Sequence, residues 1–302
     1  MKRQIAVLAL LFLVPSCARM TCSQKRHRAI QFMNRGIKKY SSGAHGAALR
    51  DLKAAVREDP NYITAHYNLA KVYQELKKFD EASKHLNRVT EGEPKNARAH
   101  YDLGVCYQKL RRFDLAKSAY QKCLGINPKF FAAHYRLGTL AEIKGKPKEA
   151  DAAYRRAIEI NPRFVKPFVK LGLLYLEHDY SELAMQVFQA AVKINDNSGE
   201  AFNGLGVAYQ FLKQYDKAIT AFEKALSLKG DMLDTMYNLG MAYAAADKKK
   251  LAQKALKRFT TMATGKKGID PMFVRAAHDK ISELSGDATP SGTKSKPPAR
   301  LQ

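Results

Sequence analysis

The chain of 302 residues carries 52 lysines and arginines against 28 acidic residues, a formal charge of +24. That excess suits an acidic protein face, an anionic lipid surface or an acidic polysaccharide; it would also suit nucleic acid, which the export signal described next excludes. No glycine-rich phosphate loop, paired-cysteine motif, nucleophile elbow or His-Glu-x-x-His zinc motif occurs, so no catalysis, cofactor or metal is expected.

Lys2 and Arg3 precede an unbroken apolar run from Ile5 to Val14, followed by Pro15-Ser16-Cys17-Ala18. A positive end, a short apolar segment and small residues at the cut make a secretory signal over residues 1–16. The run is shorter than the roughly 20 residues a bilayer span needs. Val14-Pro15-Ser16-Cys17 resembles a bacterial lipobox, which implies that Cys17 is acylated and becomes the first residue of the mature chain. Ser16-Cys17-Ala18 also satisfies the small-x-small rule for an ordinary cut after Ala18, which would release a soluble protein. Ala18 after an acylated cysteine implies the periplasmic face of the outer membrane. Residues 17–28 then read as a short basic tether, and loss of Lys2 and Arg3 leaves +22 on the mature chain.

From Ala29 onward an alanine recurs every 34 residues: Ala48, Ala82, Ala116, Ala150, Ala184, Ala218 and Ala252. Leu69, Leu103, Leu137, Leu171, Leu205 and Leu239 keep the same beat, each followed by glycine or alanine. Tyr73, Tyr107, Tyr175, Tyr209 and Tyr243 come four residues after those leucines, and Tyr120, Tyr154, Phe188 and Phe222 come four after the alanine. Pro60, Pro94, Pro128 and Pro162 close the first four units, where a second helix must stop. A strict period of this length is the signature of a solenoid, in which no single helix pair can bury its own apolar face. The pattern resembles the tetratricopeptide repeat. It implies an all-α, right-handed superhelical solenoid of seven helix-turn-helix repeats: 29–62, 63–96, 97–130, 131–164, 165–198, 199–232 and 233–266. The outer units depart from it: Arg35 and Lys39 replace the leucine and tyrosine of the first, and Phe259 and Thr264 break the last.

Asp270-Pro271 reads as an N-cap with proline in the first turn, and Phe273, Ala277, Ile281 and Leu284 share one helix face, so residues 267–284 are expected to form a capping helix. Residues 285–302, rich in Ser, Pro, Gly and Lys, are expected to be disordered.

The resemblance also implies where a partner sits. The first helix of each repeat lines a concave groove through its second, fifth, ninth, twelfth and thirteenth residues. The fifth positions here are Met33, Tyr67, Tyr101, Tyr135, Val169, Asn203 and Tyr237; the ninth are Ile37, Lys71, Val105, Thr139, Leu173, Val207 and Met241; Phe211 is a thirteenth. So apolar and aromatic a groove suits a helical or extended peptide, although tyrosine at the fifth position also packs on its neighbours. The lysine-and-asparagine pair with which chaperone-binding members clamp a carboxylate is missing. Basic residues gather in the turn inside each repeat: Lys77 and Lys78, Arg111 and Arg112, Lys146 and Lys148, and Lys248, Lys249 and Lys250. They form either a ridge for an acidic polymer or anionic lipid, or a merely solvated edge, interrupted by Glu177-His178-Asp179.

Two smaller sets remain. His66, His100 and His134 share one repeat position; they are expected to pack where the family places a bulky aromatic, and repeats stacked about 8–10 Å apart are too far apart to assume a shared ion. Cys106 and Cys123 are expected to be small buried fillers, with a disulfide between them as the alternative. A lipobox followed by such an array resembles the pilotin lipoproteins of type IV pilus secretins. It implies a non-catalytic scaffold that assists envelope assembly; an adaptor for peptidoglycan hydrolases and a soluble exported binder of acidic polysaccharide or lipid are the rivals.

Overall fold

The computed structural model describes residues 14–266 and 268–286, with side chains from Cys22 onward. The apolar stretch before Val14, the Cys17 side chain and residues 287–302 lie outside the described residues. Fifteen helices and no strand occupy the described residues. They fall into two compact units, one ending at Leu140 and one beginning at Ala141.

The N-terminal unit holds α1 (Val14–Ser41), α2 (His45–Glu58), α3 (Ile63–Glu75), α4 (Phe79–Gly92), α5 (Ala97–Lys109), α6 (Phe113–Ile126) and most of α7 (Phe131–Ile143). The C-terminal unit holds α8 (Pro147–Ile160), α9 (Val165–Glu177), α10 (Ser181–Ile194), α11 (Gly199–Phe211), α12 (Tyr215–Leu228), α13 (Leu233–Ala245), α14 (Lys249–Ala263) and α15 (Pro271–Ser285). Helices pair in sequence order, α1 with α2, α3 with α4 and α5 with α6 in the first unit, and α9 with α10, α11 with α12 and α13 with α14 in the second.

The seven periodic alanines are fully buried, which is why no larger residue recurs there. In the third, fifth and sixth repeats the small residue of the first helix faces an aromatic of the second: a methyl added to Gly104 would lie 2.5 Å from the ring of Tyr120, whereas in the first and last repeats Gly36 and Gly240 face Leu52 and Leu256. Backbone closeness of this kind lets one fully buried aromatic fill the space between two helices.

The turn inside each repeat has one design. The N–H of Ala44, Lys78, Arg112, Lys146, Tyr180, Gln214 and Lys248 each donates to a carbonyl five residues back, at 2.8–2.9 Å. This helix-ending turn needs a left-handed residue just before that N–H. Gly43 and Gly145 supply it freely, whereas Lys77, Arg111 and Lys213 hold φ of 57°, 59° and 60°. A side chain in that region costs about 1–2 kcal/mol, less for the aspartates at positions 179 and 247. Lys77→Gly and Arg111→Gly are therefore expected to stabilise the fold by about 0.5–1 kcal/mol each, read as a higher urea midpoint. An unchanged or lower midpoint would contradict the strain assigned to these turns.

The first repeat solves its departure from the pattern locally. Arg35 and Lys39 stand where later repeats keep leucine and tyrosine, and both reach Asp51 on α2, at 3.4 and 2.6 Å. Asp51 is 8% exposed, so the substituted pair keeps its buried acid neutralised. α1 also runs well before Ala29. The segment expected as a tether is helical, and Arg26 and Arg28 bind Asp59 and Glu58 at 2.6 and 3.3 Å, with Arg26 3.8 Å over the Tyr62 ring.

At the other end, the Asp270 side chain accepts the Met272 N–H and Gly286 closes α15 with φ of 80°. Phe273 and Ala277 of α15 are buried against α13 and α14.

Candidate protein-interaction face

In the N-terminal unit, Tyr67, Tyr101 and Tyr135 lie half-buried on α3, α5 and α7. Each ring has a cation beside it: Lys71 Nζ lies 5.6 Å from the Tyr67 centroid, Arg98 Cζ 5.7 Å from Tyr101, and Arg136 Cζ 5.9 Å from Tyr135. Beneath them runs a polar lattice joining one repeat to the next. The Tyr67 hydroxyl donates to Asp102 Oδ2 at 2.9 Å, and Arg98 Nε bonds both carboxylate oxygens of Asp102 at 3.1 Å. Gln74 donates to the Asp102 carbonyl at 3.2 Å, and Gln108 to Thr139 Oγ1 at 3.1 Å. Burial, and then the Asp102 charge, push the Tyr67 hydroxyl up to about 12. It stays a hydrogen-bond donor at any physiological pH. Tyr101 is anchored otherwise, its ring 5.0 Å from Phe130 and 5.8 Å from Tyr120. Tyr67 and Tyr101 thus bond or pack along one edge, as expected of fifth-position tyrosines, while all three rings keep part of their surface accessible.

In the C-terminal unit most of the corresponding positions are aliphatic. Val169, Leu173, Val207 and Met241 are half-buried, and Phe211 is 44% exposed. Asn203 donates to Asp234 Oδ2 at 3.1 Å. Tyr237 must be removed from the expected groove. It is 4% exposed, its ring edge-on to Phe259 at 5.4 Å and to Phe273 at 5.2 Å. The capping helix α15 supplies Phe273 and turns a groove position into core. At the opposite terminus Met33 is also buried, at 8%.

The basic turn residues are exposed in both units, and several are partly neutralised. Arg112 shares Asp80 with Lys84, at 3.3 and 2.8 Å, and that pair holds the Asp80 carboxyl below its ordinary range, Lys84 most strongly. Lys146 binds Glu149, Lys248 binds Asp216 and Lys249 reaches Asp247 at 3.8 Å. Lys77, Lys78, Arg111, Lys148 and Lys250 are in no ion pair among the described residues.

The three stacked histidines have a structural job. Nε2 of His66, His100 and His134 donates to the carbonyl of Pro60, Pro94 and Pro128, at 2.9, 3.0 and 3.0 Å. Each ring thereby ties the proline turn to the helix that follows it, and leaves that nitrogen unable to hold a metal. Cys106 and Cys123 are buried free thiols, pushed up to about 11 by burial, and Cys106 Sγ accepts from Gln74 at 3.2 Å. They are fillers rather than reactive groups.

Family models described as tetratricopeptide repeat match residues 39–101, 97–130, 131–164, 165–198, 199–232 and 234–261. No curated protein matches the chain. Among solved structures, a tetratricopeptide repeat protein from Parabacteroides merdae superposes with a TM-score of 0.61 at 17% identity, over 86% of this chain and 99% of the other. Pseudomonas aeruginosa pilF superposes at 0.60 and 16%, over 73% and 99%. YrrB, described as having an unusual peptide-binding site, superposes at 0.50 and 22%, over 65% and 97%. At such identities these likenesses establish the fold.

Proposed function

The chain belongs to the tetratricopeptide repeat family, and from that premise we propose that it is a non-catalytic scaffold of the bacterial periplasm, held by an acylated Cys17 on the outer membrane. Its partner is a protein segment, and its task is the assembly of an envelope complex such as a type IV pilus secretin. The observation that carries the partner reading is the row of Tyr67, Tyr101 and Tyr135, half-buried and each with a cation beside its ring. Rigid tyrosines with an apolar body and a polar tip are the side chains that anchor protein interfaces. The Tyr67 hydrogen bond to Asp102 and the packing of the Tyr101 ring on Phe130 and Tyr120 hold those two side chains ready, so little rotamer entropy is lost there on binding. The peptide-binding site named for YrrB and the fold shared with pilF agree with this reading.

The anchor rests on the sequence from Lys2 to Ala18. Several acyl chains on one cysteine hold a protein firmly, at about 0.8 kcal/mol per buried CH₂.

The test has two arms. Mass spectrometry of the membrane fraction is expected to find a mature N-terminus at Cys17 carrying acyl chains, absent from Cys17→Ala; an unmodified N-terminus at Arg19 in the soluble fraction would remove the anchor. Crosslinking in the periplasm is expected to capture a protein partner, and Tyr101→Ala with Tyr135→Ala to reduce that capture about ten-fold or more while helicity is kept. Undiminished capture by a folded variant would remove the groove.

A further inference from the structure

The C-terminal unit has a second feature, on an outer helix. α14 carries Lys249, Lys250, Lys254, Lys257 and Arg258 and no carboxylate. The other second helices from α4 to α12 place an acidic residue in the first turn: Asp80 and Glu81, Asp114, Glu149, Glu182 and Asp216. There it meets the positive end of the helix dipole, an arrangement typically worth about 0.3–1 kcal/mol. α14 opens with Lys249 and Lys250 instead, against its own dipole. Lys250, Lys254 and Lys257 are exposed and in no ion pair among the described residues.

Among these cations Leu251 is 45% exposed. It borders a cavity of about 200 Å³ lined also by Leu226, Met236 and Leu239, with Lys254 and Arg258 completing the wall. An exposed leucine over an apolar hollow, framed by unpaired lysines, costs the isolated protein both solvation and repulsion. Local choices that all run against stability on one face point to a ligand.

We propose that α14 is a docking face for an acidic segment of a partner protein, with one bulky apolar side chain of that segment seated in the cavity between carboxylates that meet Lys254 and Arg258. The hollow has room for a leucine or phenylalanine, and is smaller than the roughly 300 Å³ and upward of a typical small-molecule site. A charged polysaccharide has nothing to fill it. This face is separate from the tyrosine row and does not depend on it.

The probe is a fluorescein-labelled peptide, Glu-Asp-Glu-Phe-Glu-Asp-Glu, beside a counterpart with serine for phenylalanine, read by fluorescence polarisation on the mature chain. The phenylalanine peptide is expected to bind about five-fold tighter or more, as burial of one aromatic side chain implies. Lys254→Gln with Arg258→Gln is expected to weaken it about ten-fold, and so is raising NaCl from about 50 to about 300 mM. Leu251→Ser is expected to erase the preference for phenylalanine while the salt dependence remains. The paired Tyr101→Ala and Tyr135→Ala variant is expected to bind this peptide unchanged, even where it loses partner capture. Equal binding of the two peptides, or indifference to Lys254→Gln with Arg258→Gln, would overturn the proposal. Loss of the peptide in the tyrosine variant would overturn it by placing the site in the groove. If phosphatidylglycerol vesicles bound and the phenylalanine peptide did not, the face would belong to lipid and the proposal would equally fail.

Discussion

Phe188→Ala is expected to destabilise the C-terminal unit by about 3–5 kcal/mol, the range for removing a fully buried aromatic that its surroundings cannot replace. Phe188 has no exposed surface, and its ring is clasped between two glycines. A methyl on Gly172 would stand 2.6 Å from Cζ, and one on Gly204, from the following repeat, would stand closer still. The ring is rigid and its neighbours are helix backbones, so neither side can give way cheaply. Gly204→Ala is accordingly expected to cost about 1–3 kcal/mol through overpacking. The same substitution at Gly125, a helical glycine with open space around it, is expected to gain about 0.5–1 kcal/mol. Urea titrations followed by circular dichroism on the three variants separate the cases. A Gly204→Ala protein as stable as the parent would show that the clasp does not exist in solution.

The N-terminal unit is expected to lose stability as pH falls below about 6.5, through His85. His66 Nε2 donates to the Pro60 carbonyl, so its Nδ1 is an acceptor, and His85 Nδ1 supplies the proton across 2.9 Å. His85 also stacks on Tyr73, with ring centroids 5.7 Å apart and planes 8° from parallel. Burial, first of all, with His66, Lys53 and Lys84 close by, pulls His85 down to about 4 from its usual 6.5. A histidine lowered in the fold binds its proton first in the unfolded chain. Its contribution is therefore complete above about pH 6.5 and is lost progressively as pH falls toward 4. His85→Gln is expected to flatten the unfolding midpoint across that window, since glutamine does not titrate. If parent and variant fell in parallel, the acid sensitivity would lie elsewhere.

Much of the fold was legible because a repeat states each structural requirement many times over. Alanines recurring where helices touch, and aromatics facing glycines, specify helix pairs before any local propensity is weighed. What the period could not carry was what happens once. Gly204 belongs to no recurring small position; only the Phe188 ring explains it. Asp51 reads as an ordinary surface residue until Arg35 and Lys39 are seen to converge on it. Tyr237 matches the groove pattern in sequence, but α15 brings Phe273 against it, a contact that no spacing within the repeat encodes. The left-handed lysine and arginine at the turns look in sequence like plain charge. The hollow beside Leu251 depends on α12, α13 and α14 together and leaves no periodic trace. Sites made by the ends of an array are the least visible from its period, because the ends are where the period fails.

Site-specific photocrosslinking tests the central claim most directly. With Tyr135 replaced by benzoylphenylalanine and the protein irradiated in the periplasm, we expect one dominant protein adduct. The same probe in place of Gln121, an exposed residue on α6, is expected to give little or none. An adduct that forms equally at both positions, or only at 121, would contradict the assignment of the tyrosine row as the partner-binding face.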